Sequence, residues 1–240
     1  MLSEREFLRA FPDAWALWTP GLGPAFLAQL RPAGSLQACV QHWADPLVAR
    51  APAAHNDLVA EIAFGWFSRA QANGCEVARL EPARVQAEVD DAIDRLSQLR
   101  RSSGFAGQEV TDAHRLDACD LATRLQSHLT SRGTPLRIHR QLKGVGLLAD
   151  CHPDIIQGET LIEVKMSKAS FRTADLRQTL IYAAMAHWNG IAIRELMLLN
   201  PRLGLSWRFD LQMLVIEVAD CRPGQLFDSI RSFLCDERWV

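Results

Sequence analysis

The sequence predicts a mixed α/β (α+β) fold, in which helices flank a mixed β-sheet and a helical region precedes it. Three observations carry this prediction. The 240 residues are 48% hydrophobic and 22% charged, which is typical of a globular protein with a sizeable core. Apolar residues recur at helical spacing through residues 1–103. After residue 133, short β-rich runs alternate with helical segments.

The first part of the chain is predicted to consist of helices joined by turns rich in Pro and Gly. The predicted helices lie at 3–18, 25–30, 56–72 and 82–101. The best candidate for a linker is the stretch 102–107, which is rich in Ser and Gly. We therefore predict two regions, a helical accessory region at 1–103 and a core at 104–240.

The second part of the chain is predicted to form the sheet and its flanking helices, in the order α-β-β-β-α-β-β-α. The predicted helices lie at 111–129, 175–188 and 224–235. Strand-like patterns occur at 136–141, 145–157, 160–167, 195–199 and 205–218. This order predicts a mixed sheet with helices packed against it.

Composition narrows the class of protein. The net charge is −2, and no uncharged apolar run approaches the roughly 18–20 residues of a membrane span. The N-terminus carries charges at once and lacks the apolar segment of a signal peptide, so we expect a cytoplasmic protein with no membrane association. The six cysteines are scattered and form no C-x-x-C pair, which favours reduced thiols over a zinc or iron–sulfur site.

Two hydrophobic runs flank Gly158-Glu159, and this pattern predicts a β-hairpin closed by a type II′ turn. The register that this turn imposes places Asp154 directly opposite Glu163. Because side chains alternate between the two faces of a strand, Glu163 and Lys165 share one face. A slip of one residue would move Asp154 to the other face. Asp150 has the same parity as Asp154 and is the alternative carboxylate.

Opposed carboxylates repel one another, so the hairpin needs a positive partner. Lys165 is one candidate, and a divalent cation such as Mg²⁺ is the better one, because carboxylate oxygens are its natural ligands. The alternative is that these charged residues form an ordinary solvated strand face. Gln178 and Tyr182 lie four positions apart in the following predicted helix, so they project from one helix face.

Three short motifs follow one another in this stretch: Pro153-Asp154, Glu163-Val164-Lys165 and Gln178-x-x-x-Tyr182. In order and spacing they resemble the motifs of the PD-(D/E)XK nuclease superfamily, and most closely those of its RecB-like branch with the Q-x-x-x-Y helix motif. The resemblance covers about residues 112–218. It implies a restriction-endonuclease-like core fold.

The resemblance also implies an active site and an activity. The implied catalytic residues are Asp154, Glu163, Lys165, Gln178 and Tyr182. Asp154 and Glu163 would bind Mg²⁺ or Mn²⁺, with the Val164 carbonyl as a backbone ligand. Lys165 would orient the attacking water and stabilise developing negative charge, while the glutamine and the tyrosine would position the water or the nucleic-acid strand. The implied enzyme is a metal-dependent nuclease that hydrolyses phosphodiester bonds.

Two features of that branch have no clear counterpart here. Its members often carry an acidic residue or a His on the helix before the first strand, and the choice among several candidates stays open. These candidates are Asp112, His114, Asp117 and Asp120, with Glu61 further upstream. Some members hold an iron–sulfur cluster through four cysteines. Cys221 and Cys235 do not reproduce that pattern, so we expect no cluster.

Local charge favours a ligand that carries phosphate. Residues 132–177 contain eight basic and five acidic residues, a net charge of +3 in a chain of −2. Lys168, Arg172 and Arg177 follow the predicted catalytic strand and are candidates for contacts with backbone phosphates. We expect nucleic acid as the partner, DNA in preference to RNA, and by analogy with the branch an exonuclease-like role in repair or defence against foreign DNA. The alternative is a non-catalytic nucleic-acid- or partner-binding subunit, and partner proteins or a homo-oligomer stay open.

Overall fold

The computed structural model describes residues 1–29, 38–99, 109–130 and 133–236. The predicted linker at 102–107 lies outside these residues. The predicted fold class is confirmed, because six strands of the described chain form one mixed sheet and helices pack against both of its faces. None of the described helices is long and apolar enough to cross a lipid bilayer.

The described helices and strands follow the predicted order, with the differences given below. The helices are α1 (Glu4–Ala10), α2 (Pro12–Trp18), α3 (Pro24–Gln29), α4 (Asn56–Ala72), α5 (Pro82–Leu99), α6 (Asp112–Thr130), α7 (Thr173–Trp188), α8 (Leu211–Ala219) and α9 (Pro223–Leu234). The strands are β1 (Ala38–His42), β2 (Leu136–Ile138), β3 (Ile155–Gln157), β4 (Thr160–Val164), β5 (Glu195–Asn200) and β6 (Leu205–Asp210).

The strands lie across the sheet in the order β1-β6-β5-β4-β3-β2. Strands β4 and β5 are parallel, and the other neighbouring pairs are antiparallel. A parallel pair needs a crossover connection, and α7 supplies it. The crossover packs α7 against β4, which is the strand of the predicted catalytic residues.

Alternating side chains of the strands build one hydrophobic core on each face of the sheet. One core contains Leu161 and Leu198, together with apolar residues of α1, α2, α7, α8 and α9. The other contains Ile162 and Met197, together with residues of α4, α5 and α6. Glu163 has the same parity as Leu161, so it projects from β4 toward the face that α1 and α7 cover.

Strand β1 belongs to the stretch that was predicted to be helical. It pairs antiparallel with β6, from Ala38 opposite Phe209 to His42 opposite Leu205. The backbone contact continues beyond the strand, where the Trp43 N–H donates to the Gly204 carbonyl at 2.8 Å. The helical description of 1–103 is therefore incomplete, because this stretch supplies an edge strand of the sheet, while a domain boundary at 103 stays a prediction.

Three other element predictions are wrong in detail. Of the strand predicted at 145–157, only Ile155–Gln157 forms a strand. The strand predicted at 205–218 ends at Asp210, whose side chain accepts a hydrogen bond of 2.9 Å from the Met213 N–H and so caps helix α8. The single helix predicted at 3–18 is divided at Phe11. A residue that precedes proline is disfavoured in the helical conformation, and Pro12 follows Phe11 and begins the second helix.

The predicted hairpin forms between β3 and β4. Gln157 pairs with Thr160 and Ile155 pairs with Ile162, which is the predicted register. Gly158 has a φ of 60°, whereas Glu159 is not among the residues with positive φ. A type I′ turn needs positive φ at both central residues, so this pattern agrees with the predicted type II′ turn.

Candidate active site

The turn brings Asp154 to the strand that carries Glu163. Asp154 comes directly before β3, and its Oδ2 accepts a hydrogen bond of 2.8 Å from the backbone N–H of Val164. Val164 stands between Glu163 and Lys165, so the aspartate is fixed beside both of them. The register prediction for Asp154 therefore agrees with the observed geometry.

Asp150, the alternative carboxylate, lies in a different cluster. Its oxygens accept hydrogen bonds from the Gly144 N–H at 2.8 Å, from Lys143 Nζ at 3.0 Å and from Gln141 Nε2 at 2.7 Å. The Gly144 bond, followed by the Lys143 bond, holds the pKa of Asp150 below its ordinary value. These partners engage Asp150 locally and leave Asp154 as the carboxylate that meets β4.

The Lys165 ammonium is surrounded by oxygen acceptors. Its Nζ donates to Glu163 Oε1 at 2.8 Å and to Gln178 Oε1 at 2.9 Å. Asp175 Oδ1 lies 3.7 Å away and completes the set. Burial lowers the pKa of Lys165, but the carboxylates of Glu163, Asp175 and Asp154 outweigh this effect and leave it above its ordinary value.

Gln178 and Tyr182 lie on one face of α7, as predicted, and they meet a residue of α1. The Gln178 Nε2 donates to the Tyr182 hydroxyl at 3.1 Å, and the Tyr182 hydroxyl donates to Glu4 Oε1 at 3.0 Å. Gln178 Nε2 also lies 3.3 Å from the same Glu4 oxygen. A continuous hydrogen-bond network therefore runs from Glu163 through Lys165 and α7 to the first helix.

Of the two carboxylates of the hairpin, Glu163 is buried and Asp154 is half-buried. Burial, followed by the charge of Asp154, raises the pKa of Glu163 well above its ordinary value. Burial also raises the pKa of Asp154, although the Val164 hydrogen bond and the Lys165 charge oppose the rise. Two neighbouring carboxylates with raised pKa values are typical of sites that bind a cation or transfer a proton.

One oxygen of the pair lacks a donor. Glu163 Oε2 is fully buried and has no hydrogen-bond partner among the described residues, while its other oxygen accepts from Lys165. A buried acceptor without a partner is costly, and a cation would satisfy it. Mg²⁺ often binds through one or two carboxylates and keeps several waters, so Asp154 and Glu163 fit such an ion. In the described ranges no three His, Cys, Asp or Glu side chains are grouped so as to hold a metal ion.

Two of the candidates for an additional acidic residue or His of the site, Asp117 and His114, have partners elsewhere in the fold. Asp117 accepts from the backbone N–H groups of Arg50 and Ala51 at 2.9 and 3.0 Å, and from the Arg50 guanidinium at 3.1 Å. The His114 ring nitrogen Nε2 lies 2.8 Å from Nδ1 of His55, and the two rings stack. These contacts join α6 to the segment before α4. The polar groups of Asp117 and His114 thus have partners within the protein.

Glu61 is the upstream candidate that the fold relates to the site. It lies on α4, and its charge raises the pKa of Asp154. Its carboxylate also forms an ion pair with Arg95 of α5, in which Oε2 and Nε are 3.4 Å apart. Glu61 is therefore the upstream acid whose charge reaches Asp154, although its ion-pair partner is Arg95.

The three predicted phosphate contacts differ in exposure. Lys168 and Arg172 are exposed in the segment between Lys165 and α7, and the Arg172 side chain is 77% exposed. Arg177 is partly buried, and its Nη2 lies 3.4 Å from the Leu22 carbonyl. Lys168 and Arg172 are thus available at the edge of the site, and contact between Arg177 and nucleic acid stays a prediction.

Sequence reasoning missed Glu4 and Asp175. Asp175 sits in the first turn of α7, where an acidic residue is expected as a capping group, and its Oδ2 accepts from the Arg172 N–H at 2.8 Å. That position was a usable indication that it lies near Lys165. No local pattern relates Glu4 to Tyr182, because the two residues are 178 positions apart.

Comparisons of the chain with models of protein families, with curated proteins and with solved structures returned no match. The residues of the site and their geometry therefore carry the functional proposal.

Proposed function

We propose that the protein is a metal-dependent nuclease that hydrolyses phosphodiester bonds of nucleic acid, with DNA as the favoured substrate, on a restriction-endonuclease-like fold of the PD-(D/E)XK superfamily. One observation carries this proposal. Lys165 donates hydrogen bonds to Glu163 and Gln178, while Asp154 is bonded to the backbone between Glu163 and Lys165. The residues that the sequence motifs select thus meet in one place.

The carboxylates form the acidic part of the site. Asp154 and Glu163 would hold Mg²⁺ or Mn²⁺, with the Val164 carbonyl as a backbone ligand, and the ion would lower the pKa of a bound water and neutralise phosphate charge. The partnerless Glu163 Oε2 and the raised pKa values of both acids support this assignment.

Lys165 supplies fixed positive charge. A phosphodiester gains negative charge on its oxygens as water attacks, and a preoriented ammonium stabilises that charge. Three acceptors surround Lys165 Nζ, and the carboxylates keep it protonated. Asp175 at 3.7 Å is beyond hydrogen-bond distance, so one of the three N–H donors of the ammonium is left to donate to a phosphate oxygen or to orient the attacking water.

Gln178 and Tyr182 position this ammonium rather than carry charge. Gln178 holds Lys165 through its Oε1 and contacts Tyr182 through its Nε2. Burial raises the pKa of the Tyr182 hydroxyl, so it stays protonated and acts as a hydrogen-bond donor. Both side chains are buried, which keeps their orientations defined.

The exposed cations beside the site fit a polyanionic substrate. Lys168 and Arg172 lie between the strand of Lys165 and α7, so a nucleic-acid backbone that reaches Lys165 passes close to both. The proposal includes a reducing cytoplasmic location, which five free cysteines in the described residues support. An exonuclease-like role in repair or in defence against foreign DNA belongs to the same proposal.

A nuclease assay on the full chain tests the proposal. End-labelled linear DNA, circular DNA and RNA are incubated with Mg²⁺ or Mn²⁺ and the wild type, and in parallel with Glu163→Gln and Lys165→Ala. Two matched controls lie outside the site: Glu159→Gln changes the exposed acid of the hairpin turn, and Lys143→Ala changes an exposed lysine. We expect metal-dependent cleavage by the wild type and both controls, none by Glu163→Gln, and cleavage slowed by roughly 100-fold or more in Lys165→Ala.

Two outcomes would overturn the proposal. Cleavage that persists in both site variants would mean that these residues do not perform the reaction. Metal-dependent binding of nucleic acid without cleavage by any form would instead favour the non-catalytic binding subunit.

A further inference from the structure

Helix α1 is anchored firmly although it lies at the start of the chain. The Leu2 N–H donates to the Leu147 carbonyl at 2.7 Å, and the Leu2 carbonyl accepts from the Ala149 N–H at 2.8 Å. Ser3 and Glu6 form a capping box at the start of the helix. Phe7 is completely buried in the core that α1 and α7 share. The position of Glu4 is therefore defined by the surrounding structure.

Glu4 receives two hydrogen bonds from α7 on one carboxylate oxygen. Tyr182 donates its only hydroxyl proton to Glu4 Oε1 at 3.0 Å, and Gln178 Nε2 lies 3.3 Å from the same oxygen. Because the hydroxyl proton is directed to Glu4, the Tyr182 oxygen is left to accept from Gln178 Nε2, at 3.1 Å.

These contacts decide which way the Gln178 amide faces. The amide has one accepting end and one donating end. With Nε2 toward Glu4 and Tyr182, Oε1 faces the Lys165 ammonium at 2.9 Å. The opposite orientation would set the amide oxygen against the Glu4 carboxylate and the NH₂ group against the ammonium, and both contacts would be repulsive.

We propose that Glu4 is a positioning residue of the site: its carboxylate oxygen fixes the Gln178 amide, and through that amide it holds Lys165 in place. This inference rests on the proposed nuclease function for its catalytic consequence. It also assigns a role to the N-terminal region, which supplies a partly buried acceptor to the network. The role requires an acceptor oxygen at position 4 and does not require a negative charge.

Three variants of α1 separate a positioning role of Glu4 from a requirement for its charge and from a general effect on the helix. Glu4→Gln keeps an acceptor oxygen and removes the charge, whereas Glu4→Ala removes both. Glu6→Ala is the matched control, because it disrupts the cap of the same helix and leaves the Tyr182 contact in place. The loss of one hydrogen bond corresponds to about a tenfold change in rate, so we expect kcat to fall about tenfold in Glu4→Ala with little change in KM. Glu4→Gln and Glu6→Ala should stay close to the wild type.

The composition of the chain allows a second readout that needs no activity. Tyr182 is the only tyrosine, and Lys165 is one of three lysines. Protein labelled with ¹³C at the tyrosine hydroxyl carbon gives one signal, and protein labelled with ¹⁵N at the lysine Nζ gives three, of which Lys165→Arg identifies one. We expect Glu4→Ala to shift both the Tyr182 and the Lys165 signals, and Glu6→Ala to shift neither.

The outcomes keep the two proposals distinguishable. A Glu4→Gln variant as inactive as Glu4→Ala would show that the charge itself is required, and the positioning role would be refuted. Unchanged Tyr182 and Lys165 signals in Glu4→Ala would refute it as well. If the wild type cleaves no nucleic acid, the nuclease proposal fails, and the two NMR signals alone decide whether Glu4 positions Lys165.

Discussion

The Asp154 carboxylate and the backbone N–H of Val164 are joined by a hydrogen bond of 2.8 Å. This bond places a carboxylate beside the peptide that separates Glu163 from Lys165. The three charged groups at this end of the hairpin therefore form one electrostatic unit, and a substitution at one of them changes the ionisation of the others.

Glu163→Gln should remove a pH dependence of stability that the metal-free wild type shows. Its raised pKa means that, near neutral pH, the folded protein keeps a proton that the unfolded chain has released. The free energy of unfolding is therefore highest below the ordinary glutamate pKa. It falls as the pH rises from there through the raised pKa of Glu163, by up to about 1.4 kcal/mol per pH unit for one proton. Urea unfolding at several pH values measures this slope. Glu159→Gln should retain the slope, and a wild type that gains stability over the range would contradict the raised pKa.

Binding of Mn²⁺ or Mg²⁺ should release protons. The cation needs ionised carboxylates, whereas the metal-free site favours protonated ones because burial raises both pKa values. Affinity should therefore increase as pH rises through neutrality. Calorimetric titrations in two buffers of different ionisation enthalpy count the protons. Asp154→Asn should bind the ion far more weakly, and equal affinity at acidic and alkaline pH would speak against this pair as the metal ligands.

Lys165→Ala should lower the rate of cleavage by roughly 100-fold or more, which is the usual effect of removing one donor that stabilises transition-state charge. Single-turnover rates with saturating enzyme isolate this step from binding. Lys143→Ala, which changes an exposed lysine that pairs with Asp150, should leave the rate unchanged. A similar loss in both variants would indicate a general effect of charge.

Lys168→Ala and Arg172→Ala should weaken nucleic-acid binding uniformly across sequences. The salt dependence of the affinity is the slope of log K against log[salt]. Each lost phosphate contact should make this slope less negative by about one. Binding is measured in the background of the inactive Glu163→Gln variant, so that the nucleic acid stays intact. Arg194→Ala is the control, since Arg194 is exposed at the other end of β4 and pairs with Glu159. An equal change of slope for Arg194→Ala would show that the effect is not local.

Asp117→Asn should destabilise the fold without abolishing the activity of the folded fraction. Asn keeps one oxygen for the backbone N–H groups of Arg50 and Ala51, but its NH₂ group then faces the Arg50 guanidinium, and the loss of that buried acceptor costs about 1–3 kcal/mol. Denaturation and the cleavage rate per folded molecule, measured on Asp117→Asn and on the wild type, compare these effects directly. A full loss of activity in Asp117→Asn with unchanged stability would reverse the assignment.

The part of the site that lies within one hairpin and the next helix could be predicted from the sequence. The Gly158-Glu159 turn sets the register of β3 and β4, and side-chain alternation then places Glu163 and Lys165 on one face. Helical spacing places Gln178 and Tyr182 together. These relationships are local, so the pattern of residue types was sufficient.

The remaining features depend on contacts that are distant in sequence or on competing local preferences. Glu4 reaches Tyr182 only after the first helix has packed on α7, and no spacing rule predicts such a contact. The run at 211–218 is rich in apolar and β-branched residues, which predicts a strand, but tertiary packing makes it helical behind the Asp210 cap. Strand β1 is only five residues long, and its partner β6 lies far away in the sequence.

The pairing of β1 with β6 has a consequence for biosynthesis. Ala38 lies opposite Phe209, so β1 meets its partner strand only after about 170 further residues have been translated. Contacts of such long sequence separation form late and slow the folding reaction. Until then the nascent polypeptide has an unpaired strand that can pair with another chain, and protection by a chaperone would be most valuable in that interval.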